Sequence, residues 1–135
     1  MSPRRLLDTN LILRHLTQDH DSHSATAGKL FARSDRQELT LVILPEVLAE
    51  CVFVLASFYR QPRRDITQAL GSLLTSPGIE IAHADRYLDA LDRYGRTSLH
   101  FVDCVIAAFA ADEQTPVATF DADLRKQRDI KVEID

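Results

Sequence analysis

The stretch LTLVILPEVLAECVFVLASF, residues 39–58, decides the fold. Its first six residues form an apolar run that suits a buried strand, and Pro45, which has no N–H to give a ladder, stops that strand. From Glu46 onward, Val47, Leu48, Cys51, Val52, Leu55 and Phe58 recur at spacings of one, three and four, the period of a helix with an apolar face. A strand that runs directly into a helix is the first half of a βαβ unit, and the neighbouring segments repeat it. Upstream, residues 5–8 read as a short strand, LILRHLT continues it into a helical turn, and SATAGKLFAR, 24–33, reads as a helix. Downstream, helical patterns at 64–75 and 85–94 flank IEIA, 79–82, a strand entered through the turn Ser76-Pro77-Gly78. SLHFVDCVIAAFAADEQ, 98–114, is apolar almost all round and predicts a helix buried on most sides; PVATF, 116–120, and IKVEI, 130–134, read as strands. The expectation is an α/β fold, a central, mostly parallel sheet with helices on both faces.

Composition bounds the rest. At 135 residues and 45% hydrophobic, the chain has the size of one compact domain. No run approaches the roughly 18 apolar residues of a membrane span, and MSPRRLLDTN lacks the apolar core of a signal peptide, so a cytoplasmic protein with no membrane partner is expected. A net charge of −4 argues against nucleic-acid binding through the overall field and leaves local binding open. Thirteen of the sixteen basic residues are arginine, whose planar fork matches phosphate, and they cluster: Arg4 and Arg5; Arg60, Arg63 and Arg64; Arg93 and Arg96; Arg125 and Arg128 with Lys126. Cys51 and Cys104 sit inside apolar runs and read as buried thiols, while His15, His20, His23, His83 and His100 show no zinc spacing.

Most of the acidic residues lie on polar helix faces or in loops. Four fall elsewhere. Asp8 follows Leu6-Leu7 and Asp121 follows PVATF, each at the carboxyl end of a predicted strand, whereas Glu50 and Asp103 interrupt core-like helical runs. Each has a bland reading: Asp8 and Asp121 as caps or turn residues, Glu50 at a helix edge with Glu46 one turn earlier, Asp103 favouring a helix dipole. Together they read differently, because ligands of open α/β sheets bind beyond the carboxyl ends of the strands. Four converging carboxylates require counter-ions, and hard oxygen donors select Mg²⁺ or Mn²⁺ over zinc. Their charge matches two divalent ions, and one ion with waters also satisfies it. Such a site supports metal-assisted attack on a phosphodiester.

LLDTNLILRHL, LPEVLAECVFVL, FVDCVIAAFA and ATFDADLRK, in this order and at these separations, resemble the four motifs of PIN-domain nucleases, and specifically VapC-type toxins of bacterial toxin–antitoxin pairs. The resemblance runs from about residue 5 to the C-terminus and implies a single PIN-like domain over residues 1–135. It makes Asp8, Glu50, Asp103 and Asp121 the metal-binding and catalytic carboxylates, with Asn10 and Thr119 in support. Asp123, two residues past Asp121, is the alternative or assisting acid at that motif, and Glu46 is the competitor of Glu50; Glu50 is favoured for lying deeper in the apolar pattern. Phe53 stands where such domains commonly carry tryptophan. The resemblance further implies an RNA substrate, Mg²⁺ or Mn²⁺ as cofactor, a homodimer and a cognate antitoxin protein. Arg4, Arg5, Arg125 and Lys126 flank the acidic motifs and are the candidate RNA contacts. The competing expectation is a non-catalytic PIN-like scaffold that binds RNA or a protein partner. A dehalogenase-like phosphatase also begins with an aspartate after its first strand, but needs a second acid where Asn10 stands.

Overall fold

The strand-to-helix junction at Pro45 is built as its residues dictate. In the computed structural model, which describes residues 3–135, β2 is Thr40–Val42 and α3 is Pro45–Ser57, with Pro45 as the first helical residue. Proline suits that position, since its missing N–H would have no partner within the helix. The chain divides into two compact units, one running to Ala82 and the other from His83 to Asp135.

The first unit holds β1 (Arg4–Leu6), α1 (Thr9–Thr17), α2 (Asp21–Asp35), β2, α3, α4 (Arg63–Leu74) and β3 (Ile79–Glu80). The strands form one parallel sheet in the order β1-β2-β3, with Arg5 opposite Leu41 and Val42 opposite Glu80. Parallel neighbours need crossover connections, which the helical pairs α1–α2 and α3–α4 supply. The core is aliphatic: Ile12, Leu39, Leu41, Ile43, Leu48, Leu55, Ile66 and Leu70 are all but inaccessible to solvent. His15 stacks on Phe31 with ring centroids 4.2 Å apart, and burial lowers its pKa against the opposing pull of Asp35.

The corner between α1 and α2 is tied to the end of α3. The Tyr59 hydroxyl donates to Asp19 Oδ2 at 2.5 Å, and Arg14 Nη1 donates to Asp19 Oδ1 at 2.8 Å. Tyr59 first, and Arg14 second, bring the Asp19 carboxyl down to about 2. A carboxylate depressed in the folded state stabilises above its unfolded value, near ~4, and that contribution is lost as pH falls through about 2. In Tyr59→Phe the Asp19 titration midpoint, followed by carboxyl NMR, is expected to rise toward the ordinary value; an unmoved midpoint would remove Tyr59 as the cause.

The second unit holds α5 (Ala84–Arg96), α6 (Phe101–Glu113) and α7 (Ala122–Arg125). On α5, Tyr87, Ala90, Leu91 and Tyr94 make a buried stripe at helical spacing. Two expectations fail in this unit. PVATF and IKVEI do not form strands of a ladder; they meet at a single parallel bridge between Val117 and Val132. Val117 is buried, but Ala118 and Phe120 are exposed, so the segment has no continuous apolar face to hold a longer pairing. Nor is α6 buried on most sides: Val102 and Ile106, one turn apart, are 61% and 38% exposed. Among the described residues no helix is long and apolar enough to cross a membrane.

Candidate functional site

Asp8 does not end a buried strand. All three residues of β1 are exposed, Leu7 is buried, and Asp8 is exposed in extended backbone as the N-cap of α1, its Oδ1 accepting from the Thr9 N–H at 2.8 Å. Its charge is therefore not buried, and the bland capping role is present beside any other. Asn10 is exposed on the first turn of α1.

Glu50 is likewise not enclosed by core side chains. On α3 the buried residues are Leu48, Cys51, Val52 and Leu55, while Glu46, Glu50, Phe53 and Ser57 form an exposed stripe on the other face. Depth in the apolar pattern thus does not separate Glu50 from Glu46. The Cys51 thiol is pushed up to about 12, chiefly by burial and further by the charges of Glu50 and Asp8. Asp8, the N-cap of α1, and Glu50, on α3, thus both bear on the same thiol. Cys51 and Cys104 are both buried free thiols.

In the second unit Asp103 is the half-buried third residue of α6, where a negative charge favours the exposed N–H groups of the first turn. Asp121 is exposed and caps α7, its Oδ1 accepting from the Leu124 N–H at 2.8 Å. The Thr119 hydroxyl accepts from the Asp121 N–H at 3.0 Å, and the Thr119 carbonyl accepts from Arg125 Nη2 at 3.1 Å. Asp123 is paired with Lys126 at 3.3 Å.

The candidate RNA contacts differ in what already holds them. Arg4 is engaged by Glu80 through two hydrogen bonds of 2.9 and 2.6 Å, which raise its pKa, so phosphate would have to displace a carboxylate there. Arg5 donates to the Arg4 carbonyl, leaving its charge unpaired by any described acid. Of the arginine clusters, Arg93 is buried and Arg96 is paired with Asp92. The four-residue α7 and the burial of Arg93 were not read from the sequence. The signal for Arg93 was available: it lies three residues after Ala90, on the edge of the buried stripe of α5.

Among the described residues, no three His, Cys, Asp or Glu side chains are grouped closely enough to hold a metal ion. By type, the four motif acids carry the hard oxygen donors that a divalent ion takes. Asp8, Glu50, Asp103 and Asp121 offer hard oxygen atoms, each is exposed or half-buried, and among the described residues none takes part in an ion pair. Elsewhere arginine pairs Asp19, Glu38, Glu80, Asp112 and Asp129. Carboxylates left without a cationic side chain can accept a divalent ion. The family model described as the PIN domain matches residues 5–130, and no curated protein matches the chain.

Proposed function

The chain belongs to the PIN-domain family, whose members are generally nucleases, and from that premise we propose that it is a Mg²⁺- or Mn²⁺-dependent endoribonuclease, the toxin of a type II toxin–antitoxin pair. The observation that carries this reading is the set of four carboxylates at the four motif positions, none of them paired with a cationic side chain among the described residues. Asp8, Glu50, Asp103 and Asp121 would supply the ligand oxygens, with Asp123 and Glu46 as the alternatives at their respective motifs. A divalent ion held by them would supply the positive charge that phosphodiester hydrolysis needs at phosphorus. Thr119 orders the backbone at Asp121, and Asn10 offers an exposed amide two residues after Asp8. Arg5 and Arg125 are the guanidinium groups best placed by sequence to meet phosphate, with Arg4 and Lys126 available once Glu80 and Asp123 release them.

A cytoplasmic homodimer held inactive by a short antitoxin completes the proposal. Exposed Val102 and Ile106 on α6, and Phe53 on α3, offer the kind of apolar surface that partners cover. The purified protein is expected to cut RNA in Mg²⁺ or Mn²⁺ and to stop in excess chelator. Undiminished cutting in chelator overturns the metal dependence. Inertness toward RNA in either metal, with no Mn²⁺ binding dependent on Asp8 and Asp103, identifies the non-catalytic scaffold instead.

A further inference from the structure

Arg93 is the one charged residue that is buried among the described residues. Its side chain is 6% exposed, and a guanidinium so enclosed is costly unless its donors are met. They are met from two directions. Nε donates to Asp89 Oδ2 at 3.2 Å, one turn earlier on α5. Nη1 donates to Asp129 Oδ1 at 3.0 Å and to Gln127 Oε1 at 3.3 Å, and Nη2 donates to Asp129 Oδ2. The fork on Asp129 is bidentate, the geometry in which arginine fixes direction as well as charge. Its hydrogen bonds hold the Asp129 carboxyl below the usual carboxylate range.

The grip falls on a segment with little else to order it. From Thr115 to Asp135 the regular structure is one four-residue helix and one isolated bridge. An unbroken chain of hydrogen bonds leads from the clamp to the fourth acidic motif. The Gln127 N–H donates to the Leu124 carbonyl at 3.2 Å, the Leu124 N–H to Asp121 Oδ1 at 2.8 Å, and the Arg125 N–H to the Asp121 carbonyl at 3.2 Å. Leu124, 1% exposed, anchors the same turn. On the far side of the clamp the Lys131 carbonyl accepts from the Val117 N–H at 2.8 Å, which closes the loop that carries Thr119 and Asp121.

We propose that Arg93 is a positioning residue for Asp121: by clamping Gln127 and Asp129 from α5 it fixes the loop on which the fourth carboxylate is carried. The role of that carboxylate rests on the function proposed above; the clamp does not. Asp129→Ala removes two of the acceptors while Asp89 continues to pair the guanidinium, so the variant is expected to fold. Two quantities are read in it: amide hydrogen exchange at Leu124 and Arg125 without metal, and the Mn²⁺ concentration that gives half-maximal RNA cleavage. Exchange at both amides is expected to quicken about tenfold while α6 is unchanged. The Mn²⁺ requirement is expected to rise about tenfold with KM for RNA unaltered, as for the loss of a partner that orients a ligand. Asp129→Asn, which keeps one acceptor, falls between, and Asp92→Asn, on the exposed face of α5, changes neither.

Unaltered exchange at Leu124 and Arg125 in folded Asp129→Ala overturns the clamp. Faster exchange with an unchanged Mn²⁺ requirement overturns its positioning role. If the unmodified protein cuts no RNA, the proposed function falls, and the exchange measurement alone decides whether Arg93 holds the Asp121 loop.

Discussion

Asp103→Asn is expected to lower metal-dependent RNA cleavage at least about a hundredfold while the melting temperature stays within a few degrees of the unmodified protein. Among the four motif acids it is the one that neither caps a helix nor has a second acid within one turn. Asp8 and Asp121 each cap a helix, so their replacement by alanine mixes the loss of a ligand with a capping loss of about 1 kcal/mol. Glu50 has Glu46 one turn away on the same exposed stripe, a carboxylate able to substitute for it. Asp103 has no ion pair among the described residues, so removing its charge forfeits only its favourable place in the first turn of α6, about 0.3–1 kcal/mol. Asparagine keeps the shape and one oxygen, and loses the charge on which a hard cation depends. Cleavage retained above about a tenth of the original rate would exclude Asp103 from the site. A collapse of the melting temperature would instead make it a structural residue.

What the sequence disclosed about these acids was their positions, and what it concealed was their surroundings. Of the six positions that period assigned to the inner face of α3, Leu48, Cys51, Val52 and Leu55 are buried, Val47 is half-buried, and Phe58, 73% exposed, lies past the end of the helix. The outer stripe showed in Glu46 and Glu50, one turn apart, but its continuation was hidden because Phe53, 70% exposed, filled the gap that would have marked the polar side. Val102 and Ile106 disguised α6 in the same way. Hydropathy records what a side chain is, and cannot tell an apolar residue packed inside from one left for a partner. The C-terminal strands failed for the converse reason. PVATF and IKVEI have strand composition, but a ladder needs several paired residues with a buried face, and beside Val117 that face is missing. The place of Arg93 beside the stripe of α5 was outweighed by its type, since a charged residue on a helix is normally solvated and its acceptors at Gln127 and Asp129 lie more than thirty positions away. The first unit was legible because its strands and helices alternate and its punctuation is local, although the strands pair over only three, three and two residues.

That punctuation carries the second large effect: Gly78→Ala is expected to destabilise the protein by about 3–5 kcal/mol, lowering the melting temperature by roughly 10 °C or more. The turn Ser76-Pro77-Gly78 was legible from residue types alone, and the structure gives the reason for its glycine. Gly78 has φ of 76°, in the left-handed region where a side chain costs about 1–2 kcal/mol. A Cβ there would also stand 2.3 Å from the Ser34 carbonyl oxygen and 2.9 Å from its carbon. Neither neighbour can yield, because they are backbone at the end of α2: Ser34 is fully buried and its carbonyl already accepts from the Gln37 N–H at 2.9 Å. Retreat of Gly78 is no easier, since its own carbonyl accepts from the Leu41 N–H at 2.7 Å and so starts the pairing of β3 with β2. Moving the turn aside would spoil the register in which Leu41 faces Ile79 and Val42 faces Glu80. Gly28 is the control with the opposite sign. It lies within α2 with nothing within 4 Å of a Cβ, so Gly28→Ala is expected to stabilise by about 0.5–1 kcal/mol through helix propensity. Chemical denaturation of the two variants reads both effects. Equal stability of Gly78→Ala and the unmodified protein would mean that the end of α2 does not lie against the entry to β3, and that the three-stranded sheet is set by something other than this turn.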